Sequence, residues 1–200
     1  MPNHRIEMMD ETGRPYTTLE DVFPNQRPRM LIVGKVPAPN SVETGHYLQG
    51  TMGQGFWSRL REYKLFEAPA GVHNDIGEDD FLVQNGYGIT DVVKKPREFR
   101  QEPTEQEYRD GAEVLLRKIE QLKPYVVLFI FKRSFDRILQ LHFQIAEHSR
   151  YGFNNEHSPL FFGSSLFVFP MSGTPATMNE ITRSMNDLKS YMDKEKCPVV

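Results

Sequence analysis

The chain has 200 residues, 38% of them hydrophobic and 26% charged, with a formal net charge of −3. That length suits one α/β domain with a sizeable core, or at most two small ones. The acid excess excludes a protein that grips nucleic acid by bulk positive charge but not an enzyme with one small basic face, and the single cysteine, Cys197, excludes disulfide scaffolding and multi-cysteine metal sites.

Residues 1–28 are polar and punctuated by proline, and read as an N-terminal arm packed loosely on a single domain spanning 29–195. They open MPNHRIEMMD, without the apolar stretch of a secretory signal. RMLIVG at 29–34 reads as a buried strand, followed by a loop rich in Pro, Asn, Ser, Gly and His. Phe56, Trp57, Leu60 and Leu65 mark an amphipathic helix over 54–65. Residues 67–80, with Asp75, Glu78, Asp79 and Asp80, read as an acidic loop; FLVQNGYGITDVV at 81–93 reads as a short helix end and a strand. Thr104 to Leu122 is the clearest helix, because Thr104 and Glu107 form a capping box and apolar residues recur at helical spacing. YVVLFIF at 125–131 is a buried strand, far too short to span a bilayer; with one cysteine and no secretory signal, a cytoplasmic location is expected. A helix over 133–143, a third buried strand at 166–170 and a last helix over 177–192 complete the chain.

Buried strands alternating with helices argue a mostly parallel sheet covered on both faces, a three-layer α/β/α sandwich. The site of such a fold lies at the carboxyl ends of the strands. Three polar loops start there: after Gly34, around Thr90–Lys95, and after Pro170. Two basic stretches, Lys94, Lys95, Arg97 and Arg100, and Lys132, Arg133 and Arg137, read either as solvated faces or as contacts to a polyanion.

Three ordered segments carry a resemblance over residues 30 to 192: IVGKVPAPNSVETGHYLQGTMGQGFWSRLRE, GYGITDVVKKP, and FVFPMSGTPATMN. Together they resemble the uracil-DNA glycosylase superfamily, most closely its mismatch-specific uracil- and thymine-DNA glycosylase branch. The resemblance implies an enzyme that flips a base out of DNA into a pocket and hydrolyses its glycosidic bond. It implies a base pocket built by Gly34, Lys35, Val36, Pro37 and Ala38, with Tyr47 or Leu48 stacking on the base. It also implies Ser172 and the amides of Gly173 and Thr174 at a phosphate, a wedge from Thr174–Met178, and Lys132 facing the DNA backbone.

The chain departs from that pattern where the relatives carry a water-positioning asparagine, because Val36 stands there and cannot orient water. The helper must come from elsewhere. Asp91 falls where relatives carry a residue that touches the base. It could activate water or accept from an exocyclic amine, or it could cap a helix after GIT. Glu43 is a second candidate carboxylate or a solvated loop acid. His46 could donate to the base, or be a satisfied loop histidine. Asn85 could reach the pocket floor or close a turn beside Gly86, and Lys94 could contact DNA. Asn40 and Thr51 are weaker candidates. The expected substrate is uracil or a modified cytosine in DNA; the alternatives are a modified base of phage DNA, in antiphage defence, and a DNA-binding relative without activity. The histidines show no HExxH or paired spacing, so no metal and no cofactor are expected, nor is a membrane; the expected partner is DNA and the expected state a monomer. There is no G-x-S-x-G and no P-loop to support another hydrolase class.

Overall fold

A computed structural model of the protein describes residues 3–68, 77–98 and 101–194. Asp75, Arg100, Cys197 and the end of the predicted domain at 195 lie outside the described residues. Five strands form the central sheet: β3 (Met30–Gly34), β4 (Tyr87–Asp91), β5 (Val126–Phe129), β6 (Gly152–Phe153) and β7 (Ser165–Val168). Their order is β4-β3-β5-β7-β6, and only β6 runs antiparallel to its neighbour. Strands β3, β4 and β5 are buried along their whole length, as a sheet covered on both faces requires.

Alternation along each strand divides the core in two. Met30, Ile32, Val126, Leu128 and Phe167 point to one face, against Phe56, Trp57 and Leu60 of α2 (Thr51–Glu62) and Ile181, Met185 and Leu188 of α5 (Met178–Lys194). Leu31, Val33, Val127, Phe129 and Leu166 point to the other, against α3 (Glu105–Leu122) and α4 (Lys132–Leu141). This is the expected α/β/α sandwich. The capping box of α3 forms: the Glu107 amide donates to Thr104 Oγ1 at 3.2 Å, and the Thr104 amide donates to Glu107 Oε2 at 2.7 Å.

Residues 3–28 pack more closely than a loose arm. They contain a hairpin of β1 (Arg5–Met9) and β2 (Pro15–Leu19), and Thr18 and Leu19 are fully buried. Thr18 Oγ1 donates to the Lys94 carbonyl at 2.5 Å, and Val22 makes an isolated bridge to Ile89 of β4. The loop expected after Gly34 contains a short helix, α1 (Pro39–Thr44), which starts on a proline and ends at Gly45 with a left-handed φ of 79°. The helix end expected near 81 is two 3-10 turns, Glu78–Phe81 and Val83–Asn85.

Strand order sets where a ligand can enter. From β3 the chain first crosses to β4 on one side, then to β5 on the other, so the connections part company between β3 and β5. In open α/β sheets, that switch at the carboxyl ends leaves a crevice.

Candidate active site

A cavity of about 820 Å³ occupies this crevice. Its walls come from the turn after β3 (Lys35 to Ala38), from α1 and the loop into α2, from Phe131, Arg133 and Ser134 after β5, and from Met171 after β7. Of the expected base-pocket residues, Lys35, Val36, Pro37, Ala38, Tyr47 and Leu48 line it, as do Asp91, Glu43, Asn40 and Thr51.

Asp91 is the last residue of β4, in register with Gly34. No helix follows it directly, so the helix-cap reading falls away. A Cβ on Gly34 would land on Asp91 Oδ1, so glycine ends β3 because a carboxylate occupies the space a side chain would need. Asp91 is 5% exposed, and among the described residues its Oδ2 has no hydrogen-bond partner. Burial, with Asp21 nearby, outweighs Lys94 and Lys118 and raises Asp91 to about 7. A carboxyl so placed exchanges a proton near neutrality, which suits a general base.

Behind Asp91 lies an ion cluster that sequence reasoning missed. Asp21 binds Lys94 at 2.5 Å and Lys118 at 2.7 Å, and accepts from Thr90 Oγ1 at 2.6 Å. Burial pushes the Asp21 carboxyl up, but the two lysines outweigh it and hold it below the usual range. Lys94 therefore faces inward. Its ammonium donates to the Leu19 carbonyl at 2.9 Å and to the Tyr47 hydroxyl at 3.0 Å. That hydroxyl in turn donates to the Glu20 carbonyl at 2.9 Å, fixing the Tyr47 ring as a rigid wall. Leu48 next to it carries a φ of 59°, a left-handed conformation that costs a non-glycine residue energy. Gly53 of α2 permits it, because a Cβ there would fall on the Leu48 backbone.

Other expected residues do not reach the cavity. His46 points away from it, with Nδ1 at 3.1 Å from Asp79 Oδ1. Asn85 clamps backbone instead: it accepts from the Glu67 amide at 2.9 Å and donates to the carbonyls of Glu67 and Phe81. Lys132 pairs with Asp136 one turn on, at 2.7 Å. Ser172 and Gly173 are exposed in the turn beyond Met171, where Gly173 has a φ of 81° and the Thr174 amide donates to the Met171 carbonyl. Glu43 is exposed at the cavity mouth, a poorer place than Asp91 for a proton acceptor. The cations that do line the cavity are Lys35, Arg97 and Arg133. Lys35 Nζ sits 3.0 Å from Glu102 Oε1, which Arg133 also approaches at 4.0 Å, while Arg97 pairs with Glu107. The two basic stretches of the sequence thus reach the site, but through Arg97 and Arg133 rather than Lys94 and Lys132.

The profile of the uracil DNA glycosylase superfamily matches residues 20–189, which hold every strand of the central sheet and every residue lining the cavity except Leu19. The chain belongs to the uracil DNA glycosylase superfamily. It is also similar to the G/U mismatch-specific uracil DNA glycosylase of Schizosaccharomyces pombe, 31% identical over 105 residues, which are 52% of this chain. The match spans 31% of that relative's length. No helix among the described residues is long and apolar enough to cross a membrane.

Proposed function

We propose that this superfamily member is a monofunctional DNA glycosylase, acting as a monomer, which takes a pyrimidine nucleotide flipped out of DNA and hydrolyses its N-glycosidic bond. The observation that carries the reading is Asp91, a buried carboxyl raised to about 7, set against Gly34 in a cavity at the carboxyl ends of the strands. In this reaction a water oxygen bonds to C1′ of the sugar. The bond from C1′ to the base breaks, and its electron pair leaves on the base. Asp91 takes the proton of the attacking water, and its charge opposes the positive charge growing on the sugar. Tyr47, Leu48 and Val36 supply apolar walls for the base, and Arg133 supplies charge for a flanking phosphate. Asp91 so takes over from the asparagine that Val36 replaces.

The similarity to a protein named as a G/U mismatch-specific uracil DNA glycosylase supports uracil as the first substrate to try. A second reading rests on the pocket itself. Its volume, about 820 Å³, lies high in the range of roughly 300–1,000 Å³ usual for small-ligand sites, leaving space around a bare pyrimidine. An ionised Asp91 also accepts a hydrogen bond from an exocyclic amine. Both features suit a cytosine with a bulky substituent, such as the modified cytosines of phage DNA.

The test is a panel of end-labelled duplexes holding G·U, G·T, hydroxymethylcytosine or glucosylated hydroxymethylcytosine, treated with the protein and then with alkali. Cleavage at the uracil supports the first reading, and cleavage only at a modified cytosine supports the second. Intact strands with DNA binding retained would leave a binding protein and overturn the enzyme reading.

A further inference from the structure

His46, turned from the cavity, belongs to a second cluster whose residues are far apart in sequence. His4 precedes β1, His46 and Tyr47 follow α1, and Asp79 and Asp80 lie in the 3-10 turn Glu78–Phe81. One backbone bond brings the histidines together: the His4 amide donates to the Gly45 carbonyl at 3.0 Å. Asp79 is fully buried, and the His4 and Asp80 side chains are 9% exposed.

We propose that His4, His46, Asp79 and Asp80 bind one divalent first-row transition metal ion, zinc foremost. The donor atoms already have the spacing of a metal shell. His46 Nδ1 is 3.1 Å from Asp79 Oδ1 and 3.8 Å from Asp80 Oδ1. His4 Nε2 is 3.5 Å from Asp80 Oδ1 and 3.7 Å from Asp79 Oδ2. A tetrahedral zinc with bonds of about 2.0–2.2 Å holds neighbouring donors roughly 3.4 Å apart.

Three further observations point to a cation. Among the described residues, His4 Nε2 and both Asp80 carboxylate oxygens are buried without a hydrogen-bond partner, an arrangement that costs free energy unless something satisfies them. Two adjacent buried carboxylates call for positive charge, and a divalent ion supplies it while both imidazoles stay neutral. Gly77 keeps the space open, since a Cβ there would land on Asp79 Oδ1 and His46 Nδ1. Beyond the shell, Glu20 Oε1 lies 3.7 Å from His4 Nδ1, near the other ring nitrogen but outside hydrogen-bond distance. Two imidazoles with two carboxylates favour zinc or a neighbouring transition metal over calcium or magnesium.

Such an ion would join the start of the chain to the cavity wall. The Tyr47 amide donates to Asp79 Oδ2 at 2.7 Å, so fixing Asp79 fixes the residue whose ring walls the site. The inference concerns metal binding and stands independently of the reaction proposed above.

The full chain, stripped with a chelator and dialysed, should take up one zinc ion per chain in a calorimetric titration with zinc chloride. Cobalt chloride should give the intense visible bands of four-coordinate cobalt, removed by added zinc. His4→Gln and Asp80→Asn should each weaken zinc binding at least as much as the roughly 10- to 100-fold that loss of an outer-shell partner costs. No zinc uptake and no cobalt bands by the unaltered chain would overturn the proposal and leave an ion-pair network. So would zinc binding of equal strength in a folded His4→Gln variant. The cobalt spectrum of the unaltered chain decides the matter even where a variant does not fold.

Discussion

Asp91 is held between two opposed demands. Burial favours its neutral form, and the proposed reaction needs its ionised form. Its folded value of about 7 lies above its ordinary 3.8, so the folded protein binds this proton more tightly than the unfolded chain does. The stability this contributes is complete below the ordinary value and is lost as pH rises through the folded one. The penalty above neutral pH is on the order of 4 kcal/mol. Asp91→Asn should therefore raise the melting temperature, and the gain should be larger near pH 8 than near pH 5. A gain independent of pH would contradict the assignment. Excision by the unaltered protein should climb with pH through the same region, as single-turnover rates would show.

At Gly34, alanine should push a methyl group into Asp91 Oδ1. The expected cost is about 1–3 kcal/mol in a denaturant melt, together with slowed excision. Asp91, Gly34, Val36 and Tyr47 were singled out by the resemblance to the superfamily, and the structure sets Asp91, Val36 and Tyr47 on the cavity wall with Gly34 against Asp91. The orientations of Lys94, Lys132, His46 and Asn85 were not legible in the sequence. Their partners, Asp21 and Tyr47, Asp136, Asp79, and Glu67, decide which way each side chain turns. For most of these pairs no local rule names the partner; the exception, Lys132 with Asp136, is a helical pair at one-turn spacing that was open to view.

At the scale of elements, helix α3 and strands β3 and β5 follow from sequence almost unaided, since capping and continuous apolar runs are local signals. The tight packing of residues 3–28 is different. Leu19 and Thr18 lie under long-range contacts that their polar surroundings conceal. The α3 cap should be separable from function. Thr104→Ala should cost about 1 kcal/mol of stability, read in a thermal melt, and leave excision unchanged, because the cap lies outside the cavity walls.

For the whole molecule, the acid excess means that the proposed recognition of DNA would run through few cations. Arg133 is 72% exposed at the cavity mouth, and its pairing to Glu102 is long at 4.0 Å, so it is available to a phosphate. Arg133→Ala should weaken DNA binding and lower the slope of log affinity against log salt by about 1. Lys132→Ala, removing a charge already neutralised by Asp136, should leave the slope nearly unchanged.

The most direct test of the central claim compares the unaltered protein with Asp91→Asn in single-turnover excision from a G·U duplex and from a hydroxymethylcytosine duplex, with DNA binding measured beside it. The account predicts abasic sites on one of these substrates, a rate lowered by about 100-fold or more in the variant, and binding retained. Excision at an undiminished rate in a folded Asp91→Asn protein would contradict it.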